Sequence, residues 1–228
     1  RRERCPRSKT RRRVLMKQAG GIAFRVIPSS YRESSPRGDR PASLVAAHAL
    51  GKAMEAILPR KTPAGADQNV LILGADTVVY RNGRIYGKPR SFEEAAEFLK
   101  ELCGRTHAVY TGMALIGEDK KTGVLAVDRT RVKLKKMNDS EIRAYLKRIH
   151  PLDKAGAYAI QRRPNIVESW KGSWTNVMGL SLEKLKRLLN QAGRGLPPRR
   201  RNARYRSSAR TRWNPVFRTG KETEHCFQ

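Results

Sequence analysis

The stretch Val70–Pro89, VLILGADTVVYRNGRIYGKP, decides the fold. Val70–Leu73 are four consecutive aliphatic residues, the pattern of a buried strand. Gly74 behind them allows a close approach of another backbone. Asp76 follows, and a carboxylate at the end of a core strand is costly to bury unless it has a partner or a task. Asn82-Gly83 is the strongest short-range hairpin signal, and it predicts pairing of Thr77–Arg81 with Arg84–Tyr86. Gly87-Lys88-Pro89 closes the unit on a stiffened turn. The hairpin thus brings an acid, Asp76, and a cation, Lys88, to one rim.

Upstream of this unit, residues 1–13 (RRERCPRSKTRRR) show no periodicity and read as a basic tail. Val14–Ala19 predict a short helix stopped by Gly20-Gly21. Ile22–Ile27 alternate as a strand does, and Pro28 ends them. Pro41 opens a helix whose apolar residues Leu44, Ala47, Leu50, Met54 and Ile57-Leu58 recur at helical spacing. Residues 59–69 form the loop back to the hairpin.

Downstream, Ser91-Phe92-Glu93-Glu94 reads as a capping box for a helix that runs to Leu102 and stops at Gly104. His107–Ile116 is the next strand, a turn at 120–123 follows, and Val124–Leu134 is a long strand with alternating charge. Asn138-Asp139-Ser140-Glu141 starts another capped helix, which ends before Pro151. Small residues at 155–157 permit backbone to approach a bound ligand. Asp153-Lys154 on its own reads as a solvated ion pair of little worth. Ile166–Trp170 is a strand, and Leu182–Leu189 an amphipathic helix capped at Gly193.

The string GADTVV, followed by NG and GKP, resembles the signature of the Maf family of nucleoside triphosphate pyrophosphatases. Pro151–Gln161 (PLDKAGAYAIQ), Tyr110-Thr111-Gly112, and Lys171-Gly172-Ser173 with Asn176–Leu180 are similar to further motifs of that family. ALGKA around Lys52 looks like its Leu-Ala-x-x-Lys-Ala segment, and Glu33 matches the end of its acidic loop. Ser8–Arg13 is a degraded echo of its Ser-x-Ser-Pro-Arg-Arg turn, without the Pro and without the strand that should precede it. Arg12 belongs to the Arg pair in either register, with Arg11 or Arg13 as the other member. The resemblance divides the chain into a basic tail with a degraded first motif (1–13), a pyrophosphatase-like domain (14–193) and an Arg-rich disordered tail (194–228). The Arg-heavy ends read as aberrant relative to that domain.

What the resemblance implies is an α/β fold: an elongated, mixed, twisted sheet flanked by helices, with two lobes and a central cleft. Asp76 would be catalytic, as acceptor of a water proton. Arg12, Glu33, Lys52, Lys88, Thr77, Lys154 and Gln161 would bind substrate. A divalent metal cation (Mg2+ or Mn2+) would act as cofactor, with Glu33 and Asp76 as its ligands. Thr77 after the central Asp looks like the branch acting on dTTP and UTP, in which Arg12, Thr77 and Gln161 would tune the choice of base. An amide such as Gln161 can pair with a pyrimidine edge as both donor and acceptor. Family members are often homodimers, which makes a second copy an expected partner beside the nucleotide.

The formal net charge of +29 is unevenly placed. Residues 1–13 carry +7 and residues 194–228 carry +8, leaving +14 on the middle. A basic surface attracts polyanions of any kind, including nucleic acid. A nucleic-acid-binding protein is one rival reading, and a catalytically impaired relative, given the altered N-terminal motif, is another. Against the first, no helix-turn-helix, zinc-finger or aromatic RNA-binding motif is present. Cys5, Cys103 and Cys226 show no paired spacing, which favours a reducing compartment. Cys103 and His107 alone fall short of the three or four ligands that a metal site needs. With no apolar run of membrane-spanning length and no signal peptide, a cytoplasmic protein without membrane contact is the expectation.

Overall fold

The computed structural model describes residues 12–17, 24–33, 40–57, 70–117, 123–160 and 165–192. Its strands are β1 (Leu71–Arg81), β2 (Arg84–Tyr86), β3 (Thr106–Gly117), β4 (Gly123–Leu134) and β5 (Val167–Lys171), in the order β2-β1-β3-β4-β5. Residues 12–17 are helical (α1). The later helices are α2 (Pro41–Ile57), α3 (Phe92–Leu102), α4 (Asp139–Arg148), α5 (Trp174–Val177) and α6 (Leu182–Gln191). The fold is α/β, with helices on both faces of the sheet.

A mixed sheet was expected, and the described strands supply its antiparallel part. Every neighbouring pair among the described strands is antiparallel. The connections explain this: Asn82-Gly83 joins β1 to β2, and only residues 118–122 separate β3 from β4, too few for a parallel crossover. The strand end expected at Asp76 is absent. β1 runs unbroken through Gly74, so Asp76 lies mid-strand, opposite Gly112 of β3.

Side chains alternate along β1. Ile72, Gly74, Asp76 and Val78 face α2; Ala75, Thr77 and Val79 face the other way. The second face carries the large core, where Leu99, Leu102, Met113, Leu134, Ile142, Leu146 and Leu188 are fully buried. On the first face α2 lies against β1 and β3 at backbone contact. A Cβ added at Gly74 would sit 2.0 Å from the Ala49 carbonyl oxygen, and one at Gly112 would sit 2.2 Å from that of Val45.

That contact corrects the expected inner face of α2. Leu50 and Met54 are exposed, at 42 % and 38 %, while Val45, His48, Ala49 and Ala53 are buried. The helix presents Ala49 and Ala53 there because only small residues fit over the two glycines; Leu44 and Ile57 are buried toward its ends, as expected, and Leu50 and Met54 point outward. The expected strand at 22–27 is likewise absent over its described part. Residues 24–33 form no strand, Val26 is exposed, and Pro28 has no N–H to give a ladder.

Local chemistry sets the other boundaries. Asn138 and Glu141 cap α4 reciprocally. At α3, Ser91 accepts from the Glu94 N–H, but the Glu94 carboxylate takes the Arg90 N–H instead of returning to Ser91, so the expected box is only half closed. Gly104, with φ of 71°, ends that helix. The small residues at 155–157 approach the sheet: the Gly156 N–H donates to the Gly87 carbonyl at 3.0 Å, and a Cβ on Gly156 would lie 2.9 Å from Val79. The tails at 1–11 and 193–228, with the Gly193 cap, and the loop at 58–69 lie outside the described residues.

Candidate active site

Three separate segments converge on Asp76, which is 5 % exposed. α2 contributes His48 and Lys52, four residues apart and therefore on one side of the helix. Lys52 Nζ lies 2.6 Å from Asp76 Oδ1 and 2.5 Å from Glu33 Oε1, so a single ammonium bridges the buried acid and the loop acid. His48 Nδ1 lies 3.1 Å from Asp76 Oδ2, and the ring is 3 % exposed. The Tyr31 ring meets the His48 ring edge-on at 5.8 Å.

Burial alone would raise the Asp76 carboxyl. The Lys52 charge and hydrogen bond, Arg12, and the His48 hydrogen bond outweigh it and hold the group below the usual carboxylate range. The result is a buried carboxylate that stays ionised because cations surround it. One oxygen each from Glu33 and Asp76 and a nitrogen of His48 lie within 4.8 Å of one another.

Thr77 lies on the opposite face of β1 and forms a second polar group. Its hydroxyl meets that of Thr111 at 3.0 Å, and Thr111 donates to the Asn176 carbonyl. The buried Asn176 side chain donates to the Val109 carbonyl and to Thr130 Oγ1, which ties α5 to β3 and β4. Arg12, half-buried at the start of α1, donates through Nε to the Gly179 carbonyl at 2.8 Å and through Nη2 to Thr77 Oγ1 at 3.3 Å. Burial pulls its guanidinium below the ordinary value, opposed by Asp76 and Glu33. Arg12 is therefore electrically coupled to the acids on one side and hydrogen-bonded to the Thr77 hydroxyl and the Gly179 carbonyl on the other.

Of the residues singled out in the sequence, Arg12, Glu33, Lys52, Asp76 and Thr77 come together. Lys88 is exposed, two residues beyond the last β1–β2 pair, and makes no ion pair among the described residues. Lys154 is no solvated partner of Asp153: it is 5 % exposed, and its ammonium is held by Asp153 and the His150 carbonyl. Gln161 and Arg11 lie outside the described residues. His48 and Tyr31 went unread in the sequence. The signal for His48 was available, since it sits one helical turn before Lys52. Tyr31 gave none, because loop packing has no period.

A family model described as "Maf-like protein" matches residues 7–192. The chain belongs to this family. The match takes in Ser8–Arg13, where the sequence carries only the degraded turn. Among curated relatives, a dTTP/UTP pyrophosphatase of Gloeobacter violaceus is 46 % identical over 185 residues, covering 81 % of this chain and 92 % of the relative. One from Pelotomaculum thermopropionicum is 41 % identical over 189 residues, covering 82 % and 94 %. One from Methanosarcina barkeri is 38 % identical over 184 residues, covering 80 % and 90 %. No helix among the described residues of this family member is long and apolar enough to cross a membrane.

Proposed function

We propose that the chain is a nucleoside triphosphate pyrophosphatase acting on dTTP and UTP, releasing the monophosphate and pyrophosphate. The observation that carries this reading is the buried Asp76 carboxylate, ionised beside Lys52 and Glu33 on the close-packed α2 face. The names of the relatives support the substrate class.

Hydrolysis between the α- and β-phosphates requires a water aimed at the α-phosphorus, a group to take its proton, and positive charge for the leaving pyrophosphate. Asp76 takes the proton. While Lys52 holds it the carboxylate is a weak base. When the ammonium turns to a phosphate oxygen, the proton affinity of Asp76 rises. Lys52 thus links arrival of the triphosphate to activation of the base. Arg12 holds a phosphate oxygen or the base edge from the Thr77 side, and Lys88 and Lys154 add positive charge around the polyphosphate. Arg12 also bears on the rival reading of an impaired relative: its contacts with Thr77 and Gly179 support a working N-terminal segment despite the altered turn.

The donor set suits a divalent cation such as Mg2+ or Mn2+. Two carboxylates and an imidazole are close enough to share one ion, and the Glu33–Asp76 pair already seats a positive charge in Lys52. Glu33, His48 and Asp76 would hold it. Such an ion supplies charge neutralisation on the phosphates and orients them.

The test is a nucleotide panel on the wild type and on Asp76→Asn, which keeps the size and removes the charge. The expected result is pyrophosphate release fastest from dTTP and UTP, falling by about 10²- to 10⁴-fold in the variant. Equal turnover in the variant would refute the role of Asp76. Preference for a 7-methylated guanine nucleotide would refute the substrate assignment.

A further inference from the structure

Glu33 reaches Lys52 from a segment, residues 24–33, that has no helix or strand to hold it. Segments of this kind move on nanosecond to microsecond timescales unless something fixes them. The fixing contact is Glu55, three residues after Lys52 on α2. Its Oε1 accepts the Ser30 N–H at 2.9 Å and the Ser30 hydroxyl. Its Oε2 accepts the Tyr31 N–H at 2.7 Å and the Ser29 hydroxyl. One carboxylate thereby gathers four donors from three consecutive residues. Backbone N–H donors to a carboxylate are among the stronger hydrogen bonds. The Ser29 and Ser30 hydroxyls also keep the Glu55 carboxyl below the usual range.

The segment is closed down at a second point. The Tyr31 ring lies over Gly51, where an added Cβ would be 2.3 Å from Tyr31 Cε2, and its edge meets His48. His48, Lys52 and Glu55 thus form one stripe along α2. The first two hold Asp76, the second also holds Glu33, and the third holds the backbone that carries Glu33.

We infer that Glu55 is a positioning residue: it clamps residues 29–31 onto α2 so that Glu33 stands opposite Lys52. The inference rests on the proposal that Glu33 belongs to the site. Glu55→Gln is the informative change because each carboxylate oxygen receives one backbone N–H. A side-chain amide offers one oxygen and one N–H2, so whichever way it turns, one backbone N–H loses its carboxylate acceptor, and at Tyr31 only the longer bond to the Ser29 hydroxyl, 3.1 Å, is left. The serine hydroxyls can rotate to accept, and the backbone cannot.

The experiment measures amide hydrogen exchange at Ser30 and Tyr31, together with kcat and KM for dTTP, in wild type, Glu55→Gln, Glu33→Gln and the double variant. Expected are faster exchange at both amides in Glu55→Gln, and a fall in kcat of about ten- to a hundred-fold, as a misplaced site group produces. The double variant should lose no more than Glu33→Gln, since Glu55 acts through Glu33. Unchanged exchange in Glu55→Gln overturns the inference, and so do losses that multiply in the double variant. If Glu33→Gln itself turns over dTTP as wild type does, the reading of Glu33 falls. If Glu33→Gln is impaired while Glu55→Gln exchanges faster and keeps full activity, the clamp alone falls. A further variant, Ser29→Ala with Ser30→Ala, leaves both backbone bonds in place and is expected to keep activity within about threefold on the same reasoning.

Discussion

The two faces of β1 are built on opposite plans. Toward α3, α4 and α6 the strand buries Ala75 and Val79 in one continuous apolar core of large side chains. Toward α2 the apolar contact is split into two small clusters, one around Ile72, Ala53 and Ile116 and the other around Val78, Val45 and Leu44. Asp76, His48 and Lys52 fill the gap between them. A carboxylate can be enclosed there because backbone-to-backbone contact at Gly74 and Gly112 brings the Lys52 ammonium and the His48 ring within reach, whereas a layer of leucines would have displaced them. The core face gives stability through volume. The α2 face gives up volume to place charge.

If this division holds, substitutions on the two faces should fail in different ways. Leu99→Ala, in the continuous core, is expected to cost about 2–5 kcal/mol of unfolding free energy, with kcat and KM of the folded fraction little changed; urea titration and steady-state assays check both. Lys52→Met should do the reverse. Turnover falls by about 10²- to 10³-fold, the scale for loss of a preorganised charge contact, with a smaller change in stability. With its nearest cation gone, the Asp76 carboxyl titrates higher, so the acid limb of the pH–rate profile should move up in pH. A limb that stays in place or moves down would break the assignment of Asp76 as the titrating base.

Gly112→Ala tests the seam itself. The added methyl meets the Val45 carbonyl, and overpacking of this kind costs about 1–3 kcal/mol. Unlike Leu99→Ala, it should lower activity out of proportion to stability, because it lifts His48 and Lys52 from Asp76. The smallest expected effect belongs to the core side. His107 is buried against Tyr158, with Nε2 and Oη 2.8 Å apart, and burial first, then Arg81, pushes its pKa down to about 4. A histidine depressed in the folded state stabilises fully above its unfolded pKa near 6.5, and loses that contribution as pH falls toward the folded value. Between pH 7 and 5.5 this amounts to about 1 kcal/mol. His107→Gln should flatten the stability curve over that interval, as thermal melts would record.

The same contrast explains what the sequence made legible. The strands β1, β3 and β4 and the ends of α3 and α4 were readable because their apolar runs, caps and turn glycines act locally. On α2 the expectation held for Leu44 and Ile57 and failed in the middle of the helix, because apolar size was taken as the guide, and Leu50 and Met54 outweigh Ala49 and Ala53 on that measure. Close packing over glycine inverts the ranking, and Gly112 lies some 60 residues away in the chain. Asp76 and Lys52 could be named from their motifs. His48, Tyr31 and Glu55 acquire their contacts only when β1, the 29–33 segment and α2 are brought together. The four-residue α5, nucleated by Ser173 and pinned by Asn176, is too short for periodicity to register.

The bare seat of α2 on the sheet has one more consequence. Where side chains separate two elements, rotamer changes can absorb a disturbance and leave the backbones in place. Nothing at Gly74 or Gly112 can flex in that way, so the spacing between the α2 backbone and the β1 backbone is set by direct contact, like a hinge pin machined without play. The helix must then respond to any insult as a rigid lever, carrying its imidazole and its ammonium away together.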